Sequence, residues 1–224
     1  MAPLRPIGAA VGTGHGLDVA SFLAWTAARR LTEKLHVTTP KSGFPSRFLS
    51  EEDRLDLLRR CLTSDIVPLE VRVAGALVLL FGFRIPTVAA LRVDQLVTDE
   101  RGTYLTLTST RLLLPPSLAR LMELLATRPP RVRITPVSSL PRYLMPGLPP
   151  SRPINASQLG KRLRDHGIYP GKGQNAALLA LAARLPAPVL ATLLGLSPTT
   201  AEKWSRYAQT DWSAFLASRA KIHE

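Results

Sequence analysis

Arg84 ends an unusually apolar run. From Val73 to Phe83 the chain reads VAGALVLLFGF, and the guanidinium follows at once. An arginine placed there keeps its aliphatic stem packed while its head meets an anion at the lip of a core. Phosphates and guanine edges are the partners its fork suits. The plain alternative is a surface arginine or a structural ion pair. Two further cationic groups fall on segments that read as helices: Lys161, Arg162 and Arg164, and, further on, Lys203 and Arg206. Metal and thiol chemistry find little support. Cys61 is alone, so no intramolecular disulfide forms, and His15, His36, His166 and His223 are too scattered for a ligand set. No cofactor is expected.

The charge balance agrees with those cations. The chain has 224 residues, a formal net charge of +13 and a sequence pI near 11.0. Such a surplus favours a polyanionic partner, with double-stranded DNA the foremost candidate. A ribosomal-type chain, or an arginine-rich composition inherited from the genome, is the alternative. No apolar run reaches the ~20 residues of a membrane span, and no secretory segment opens the chain. The expected setting is cytoplasmic and nucleoid-associated.

The elements that must hold Arg84 follow from periodicity and punctuation. Residues 1–48 read as a poorly ordered start, one helix from Asp18 or Ser21 to His36 with Arg29, Arg30 and Lys34 on one face, and a linker. Ser50 caps a helix with Leu55, Leu58 and Leu62 on its inner face. After the apolar run, Gly82 breaks the chain and Pro86 restarts it, with Val88, Leu91 and Gln95 at helical spacing. Tyr104 to Leu114 changes to strand alternation, entered through Arg101-Gly102, with a second strand near Leu112. Ser117 to Thr127 predicts a helix with Leu118, Leu121, Leu124 and Leu125 inward. Short strands are expected at Val132–Ile134 and Arg142–Met145. Helices are expected at 157–167, 175–184, 187–194 (stopped by Gly195), 197–208 and 212–220.

Two function classes compete for these elements. Val189 to Tyr207, VLATLLGLSPTTAEKWSRY, is a helix, a Gly turn and a polar second helix. Taken alone it predicts a helix-turn-helix regulator reading a major groove with Thr199, Thr200, Glu202, Lys203 and Arg206.

Taken whole, Ser50 to Ala208 resembles the catalytic domain of tyrosine recombinases, the phage-integrase and Xer-like enzymes. Leu80-Phe81-Gly82-Phe83-Arg84-Ile85-Pro86-Thr87-Val88 looks like that family's first box, of the G-L-R-I-S-E-L type, with Arg84 on the first catalytic arginine. Leu91 to Gln95 looks like the L-x-x-x-D run behind it. The strand pair followed by Pro115-Pro116 looks like the sheet and its P-L-P exit. Tyr143 to Gly147 looks like the segment before the second box, and Leu193-Leu194-Gly195-Leu196-Ser197 like the L-L-G-H-S box. The resemblance implies a mainly α fold with a small β-sheet (α+β), with residues 49–224 as the catalytic-type domain and 1–48 as a truncated clamp. It also implies DNA recombination and integration chemistry. There, arginines stabilise charge on the scissile phosphate, a tyrosine attacks phosphorus and a hairpin lysine protonates the leaving oxygen.

Position by position, this chain departs from that set. The hairpin offers Thr108, Ser109, Thr110 and Arg111 but no lysine. The second-box arginine falls on Gly173, beside Lys172, and its histidine on Pro170. The L-L-G-H histidine is Leu196. The nucleophile falls on Trp204 or Ser205, with Tyr207 close by. The remnant catalytic candidates are therefore Arg84, Lys172 and Tyr207. The implied DNA-binding set is Arg84, Arg111, Lys161, Arg162, Arg164, Lys172, Lys203 and Arg206. The expectation is a DNA-binding pseudoenzyme that no longer cleaves, against the alternatives of an active recombinase using Tyr207 and of the regulator above. A last helix with Trp212, Phe215 and Leu216 either docks on a second copy of the chain, as in that family, or packs in cis.

Overall fold

A computed structural model describes Thr26, Arg29, Pro45 and residues 47–107, 110–128 and 142–220, leaving out the side chains of 210–220. The chain divides into two units, Met1–Ser46 and Arg47–Glu224. In the first, Thr26 is helical and Arg29 lies in a turn. The rest of the helix expected between Asp18 and His36 lies outside the described residues, as do the Val132–Ile134 strand and the hairpin residues Thr108 and Ser109.

The first helix of the larger unit begins where the Ser50 cap predicts it. The Ser50 hydroxyl accepts from the Asp53 N–H at 3.0 Å, and Glu51, Glu52 and Asp53 face the positive end of α1 (Glu51–Thr63). The inner face is not the expected leucine row. Leu58 is buried, but Leu55 is 42% exposed and Leu62 half-buried, while Arg54 and Cys61 turn inward. Arg54 can do so because its guanidinium is satisfied there. It donates twice to the Glu51 carboxylate (2.8 and 2.7 Å) and once to the Leu79 carbonyl (2.7 Å).

Next comes α2 (Leu69–Phe81), in which every residue from Val71 to Leu79 is buried. A helix apolar all round lies at the centre of a protein, and α2 does. It packs antiparallel on α1, where Gly75 permits close approach. A Cβ there would stand 2.7 Å from Cys61 Sγ and 2.8 Å from Ile168 Cδ1. Arg72 mirrors Arg54. It donates to the Cys61 and Leu62 carbonyls, both at 2.9 Å, and to Asp65 at 3.0 Å. Each helix thus lends an arginine to carbonyls that the end of the other leaves unpaired.

Gly82 ends α2 in the left-handed region at φ 67°, and α3 (Ile85–Ala89) follows with Pro86 in its first turn. The helical spacing expected out to Gln95 stops early. Ala90 closes α3, and a single 3-10 turn, Val93–Gln95, takes over, with the Gln95 side chain accepting from the Arg92 N–H at 2.8 Å. Three antiparallel strands form a sheet in the order β1 (Leu96–Asp99), β2 (Gly102–Thr106), β3 (Arg111–Leu113). β1 was not expected. Its four residues run from half-buried to exposed without alternation, and its pairing with β2 defines it.

On α4 (Pro116–Thr127), Leu118, Leu121 and Leu125 are inward as expected, but Met122 takes the place assigned to Leu124, which is 51% exposed. Arg142–Met145 forms isolated bridges instead of a strand: Arg92 pairs with Tyr143, and Pro146 with Pro153. Then come α5 (Ala156–Asp165), capped by Asn155; α6 (Pro170–Ala182); α7 (Ala187–Leu194), stopped by Gly195 at φ 64°; and α8 (Pro198–Ala220). α6 begins five residues before the expected Asn175, because Pro170 suits a first turn that glycines otherwise disguise. α8 joins two expected helices, since Gln209, Thr210 and Asp211 include neither Gly nor Pro to stop it. The fold is mainly helical with one small sheet, an α+β arrangement.

Candidate nucleic-acid interface

Arg84 is held by its neighbours in sequence. Phe83 is buried, with its ring 5.5 Å from that of Phe81, and Arg84 leaves the core immediately after it in extended conformation (φ −71°, ψ 145°) as the N-cap of α3. Its side chain is exposed and makes no hydrogen bond or ion pair among the described residues. The cation therefore stands at the edge of the core, where its anchor cannot move far.

Two glycines lock this corner to the start of α6. A Cβ on Gly82 would stand 2.7 Å from Leu178 Cγ and 3.2 Å from the Gln174 carbonyl. A Cβ on Gly173 would stand 2.9 Å from Leu79 Cδ2. The end of α2 and the first turns of α6 thus interlock, bringing the Arg84 stretch and the Lys172 stretch to one region. Position 173 itself is buried and faces α2. No arginine can project to solvent from there while this packing holds, whereas Lys172 is exposed.

Lys172 is an unusual residue for its place. It is in the first turn of α6, which has no acidic residue to complement the positive helix end. A lysine there works against the helix dipole. Its Nζ rests 5.4 Å from the centroid of the Tyr169 ring, a cation–π contact that offsets part of that cost. An anion bound at this helix end would offset the rest, as peptide N–H groups and ammonium would both face it. Tyr169 itself was missed in the sequence. Only its position directly before Pro170 marks it.

The remaining cations are spread over other elements. Arg111 is exposed on β3. On α5, Lys161 pairs with Asp165 at 2.9 Å, Arg164 is exposed and Arg162 half-buried. Lys203 and Arg206 are exposed on α8. Among the described residues no cluster of His, Cys, Asp or Glu could hold a metal ion. No helix searched there is long and apolar enough to cross a membrane.

The nucleophile region is packed with aromatic rings. Trp204 is buried at 6% exposure and meets Phe48 edge-on, with centroids 6.4 Å apart. Tyr207, three residues further on, is half-buried and stacks on the same Phe48 ring, with centroids 5.7 Å apart at 16°. Leu190, Leu194, Ala201 and Ala208 are buried, and α7 and α8 pack on α6. The α7–α8 corner is therefore part of the core of this unit, not a free-standing module. Phe48 could not be anticipated, since nothing local links it to residues 204–207.

The arrangement is a tyrosine-recombinase-like fold. Among solved structures, the crystal structure of XerA recombinase resembles this chain with a TM-score of 0.55, covering 91% of this chain and 76% of that one at 14% identity. No protein-family model and no curated protein matches the sequence.

Proposed function

We propose that the chain is a DNA-binding protein on a recombinase-like fold that does not cleave DNA. The observation that carries the reading is Arg84, a rigidly mounted, exposed guanidinium beside the α6 end that bears Lys172. Arg111 and the cations of α5 and α8 extend the basic surface, and phosphates are its natural partners. The +13 net charge favours the same polyanion.

Cleavage needs an aligned nucleophile as well as stabilised equatorial oxygens. Arg84 and Lys172 serve the second need. For the first, the family position falls on Trp204 or Ser205, neither of them a phenol, and the nearby phenol of Tyr207 is stacked on Phe48. The protein would act in the cytoplasm on the nucleoid, and the far end of α8, with Trp212, Phe215 and Leu216, would dock on a second copy of the chain. The test is incubation with a nicked suicide duplex. Retention on native gels that weakens steeply with salt, with no adduct on denaturing gels, is the expected result. An adduct that vanishes in Tyr207→Phe would make the chain an active recombinase instead. No retention at low salt would remove DNA binding altogether.

A further inference from the structure

A cavity of about 820 Å³ opens among α3, the end of α4, the 142–155 stretch and the start of α5. None of its walls belongs to the Arg84–Lys172 corner or to the aromatic packing around Tyr207. Its volume is that of a small-molecule site.

Its lining is of two kinds. Leu125, Leu144, Met145 and Ile154 supply apolar surface. Against them, among the described residues, stand four arginines, Arg128, Arg142, Arg152 and Arg162, and one carboxylate, Glu70. Two of the arginines are already engaged. Arg128 pairs with Glu70 at 2.8 Å, and Arg142 donates to the Ala126 and Arg128 carbonyls at 2.6 and 3.2 Å. Arg152 and Arg162 make no side-chain hydrogen bond or ion pair among the described residues. Among the described lining residues, one carboxylate against four guanidinia leaves positive charge in excess.

The walls are pinned in place. Leu144 N–H donates to the Leu91 carbonyl and Val93 N–H to the Arg142 carbonyl, each at 2.8 Å. Across the opposite wall, Ile154 donates to Met145 and Gly147 to Arg152, again at 2.8 Å. Gly147 lies so close to this wall that a Cβ would stand 2.5 Å from the Pro153 carbonyl oxygen. A site held this way does not have to be assembled by its ligand, which lowers the cost of binding.

We infer that this cavity binds a small organic anion: an apolar body seated on Leu125, Met145 and Ile154, and a carboxylate, sulfonate or phosphate head met by Arg152 and Arg162. The apolar walls alone would take a neutral molecule. The unpaired guanidinia select the anion, because their charge-assisted hydrogen bonds are the stronger ones.

The test uses two fluorescent dyes of the same shape, 8-anilinonaphthalene-1-sulfonate and its neutral twin N-phenyl-1-naphthylamine, on the full chain. The sulfonate should bind saturably at one site per chain, at least tenfold tighter than the neutral dye. The double substitution Arg152→Glu and Arg162→Glu should weaken the sulfonate at least tenfold while leaving the neutral dye unchanged. Circular dichroism melts establish that the variant is folded. If it is not, Arg152→Gln alone, on an exposed loop, should still weaken the sulfonate about threefold. Equal binding of the two dyes, unsaturable binding, or insensitivity to these substitutions overturns the inference. Arg162 is also one of the α5 cations of the proposed DNA-facing surface, but no readout here involves DNA, so either reading can fail without the other.

Discussion

Arginine stands in two different settings in this domain, one inward and one exposed. Arg54 and Arg72 are 6% and 9% exposed, and each is held by carbonyls at the end of a helix running the other way. Arg84 is exposed, stands at a helix start, and meets no acceptor among the described residues. The first pair shows what a structural arginine looks like here: it is inward, multiply bonded and placed where peptide dipoles converge in its favour. Arg84 has none of these features. Its neighbour Phe83 is buried, and its own head is exposed.

The strongest way to break the contrast is to remove the inward pair. Arg54→Met leaves the Leu79 carbonyl buried without its donor, and Arg72→Met does the same at Cys61 and Leu62. Each should cost about 2–4 kcal/mol, the loss of a charged hydrogen bond plus an unsatisfied group. The two lie at opposite ends of the helix pair, so the double variant should lose close to the sum. Urea unfolding gives the numbers. Asp65→Asn is the control: its carboxylate is 96% exposed, and its loss should change stability by less than about 0.5 kcal/mol.

Next in size is the lock behind Arg84. Gly82→Ala puts a Cβ on a residue at φ 67° and against Leu178. The left-handed backbone and the overpacking together should cost about 2–4 kcal/mol. If the lock is what fixes the cation, DNA affinity should fall as well under conditions where the variant is still folded.

Arg84→Ala should show the opposite balance. Stability should change by less than about 0.5 kcal/mol, as for other surface substitutions. DNA affinity should fall by about 1.5–3 kcal/mol if the guanidinium meets a phosphate, and the salt slope should drop by about one. Unchanged affinity, measured by anisotropy across a salt series, would erase the distinction between Arg84 and an ordinary surface arginine.

The contrast also marks what could be read from the chain alone. The exposed place of Arg84 was legible because a cation ending an apolar run is a local signal. So were the Ser50 cap, the stops at Gly82 and Gly195, and the β2–β3 hairpin. The inward turn of Arg54 was not legible, since its acceptor lies 25 residues away and hydrophobicity alone nominates Leu55. Likewise Gly173 in the sequence gives no hint that its side faces Leu79, and the stacking of Phe48 on Tyr207 joins distant parts of the chain. β1 escaped for a related reason: a four-residue edge strand with no alternation exists through its partner. Local chemistry predicts where a residue emerges. What it meets there depends on packing.

The smallest expected effect sharpens the contrast through pH. The Arg54 hydrogen bond holds the Glu51 carboxyl below its usual value of 4.5, with Arg184 contributing in the same direction from a distance. A carboxyl whose folded value is lowered stabilises the fold above its ordinary pKa. That contribution is lost as pH falls through the folded value, because the unfolded chain takes up the proton first. The Glu51 side chain is 50% exposed, so the pair should be worth less than about 1 kcal/mol at neutral pH. The acid limb of a stability–pH curve should therefore be shallower in Glu51→Gln than in the parent. Asp94, held low by Arg92 in the same way, titrates on that limb too, and remains in both proteins. In an Arg54→Met background the Glu51→Gln difference should shrink, since the partner that lowers the carboxyl most is gone and only the distant Arg184 remains. A difference that persists there undiminished would mean that Arg184, not Arg54, lowers the Glu51 carboxyl. Arg54 would then be held inward by the Leu79 carbonyl alone.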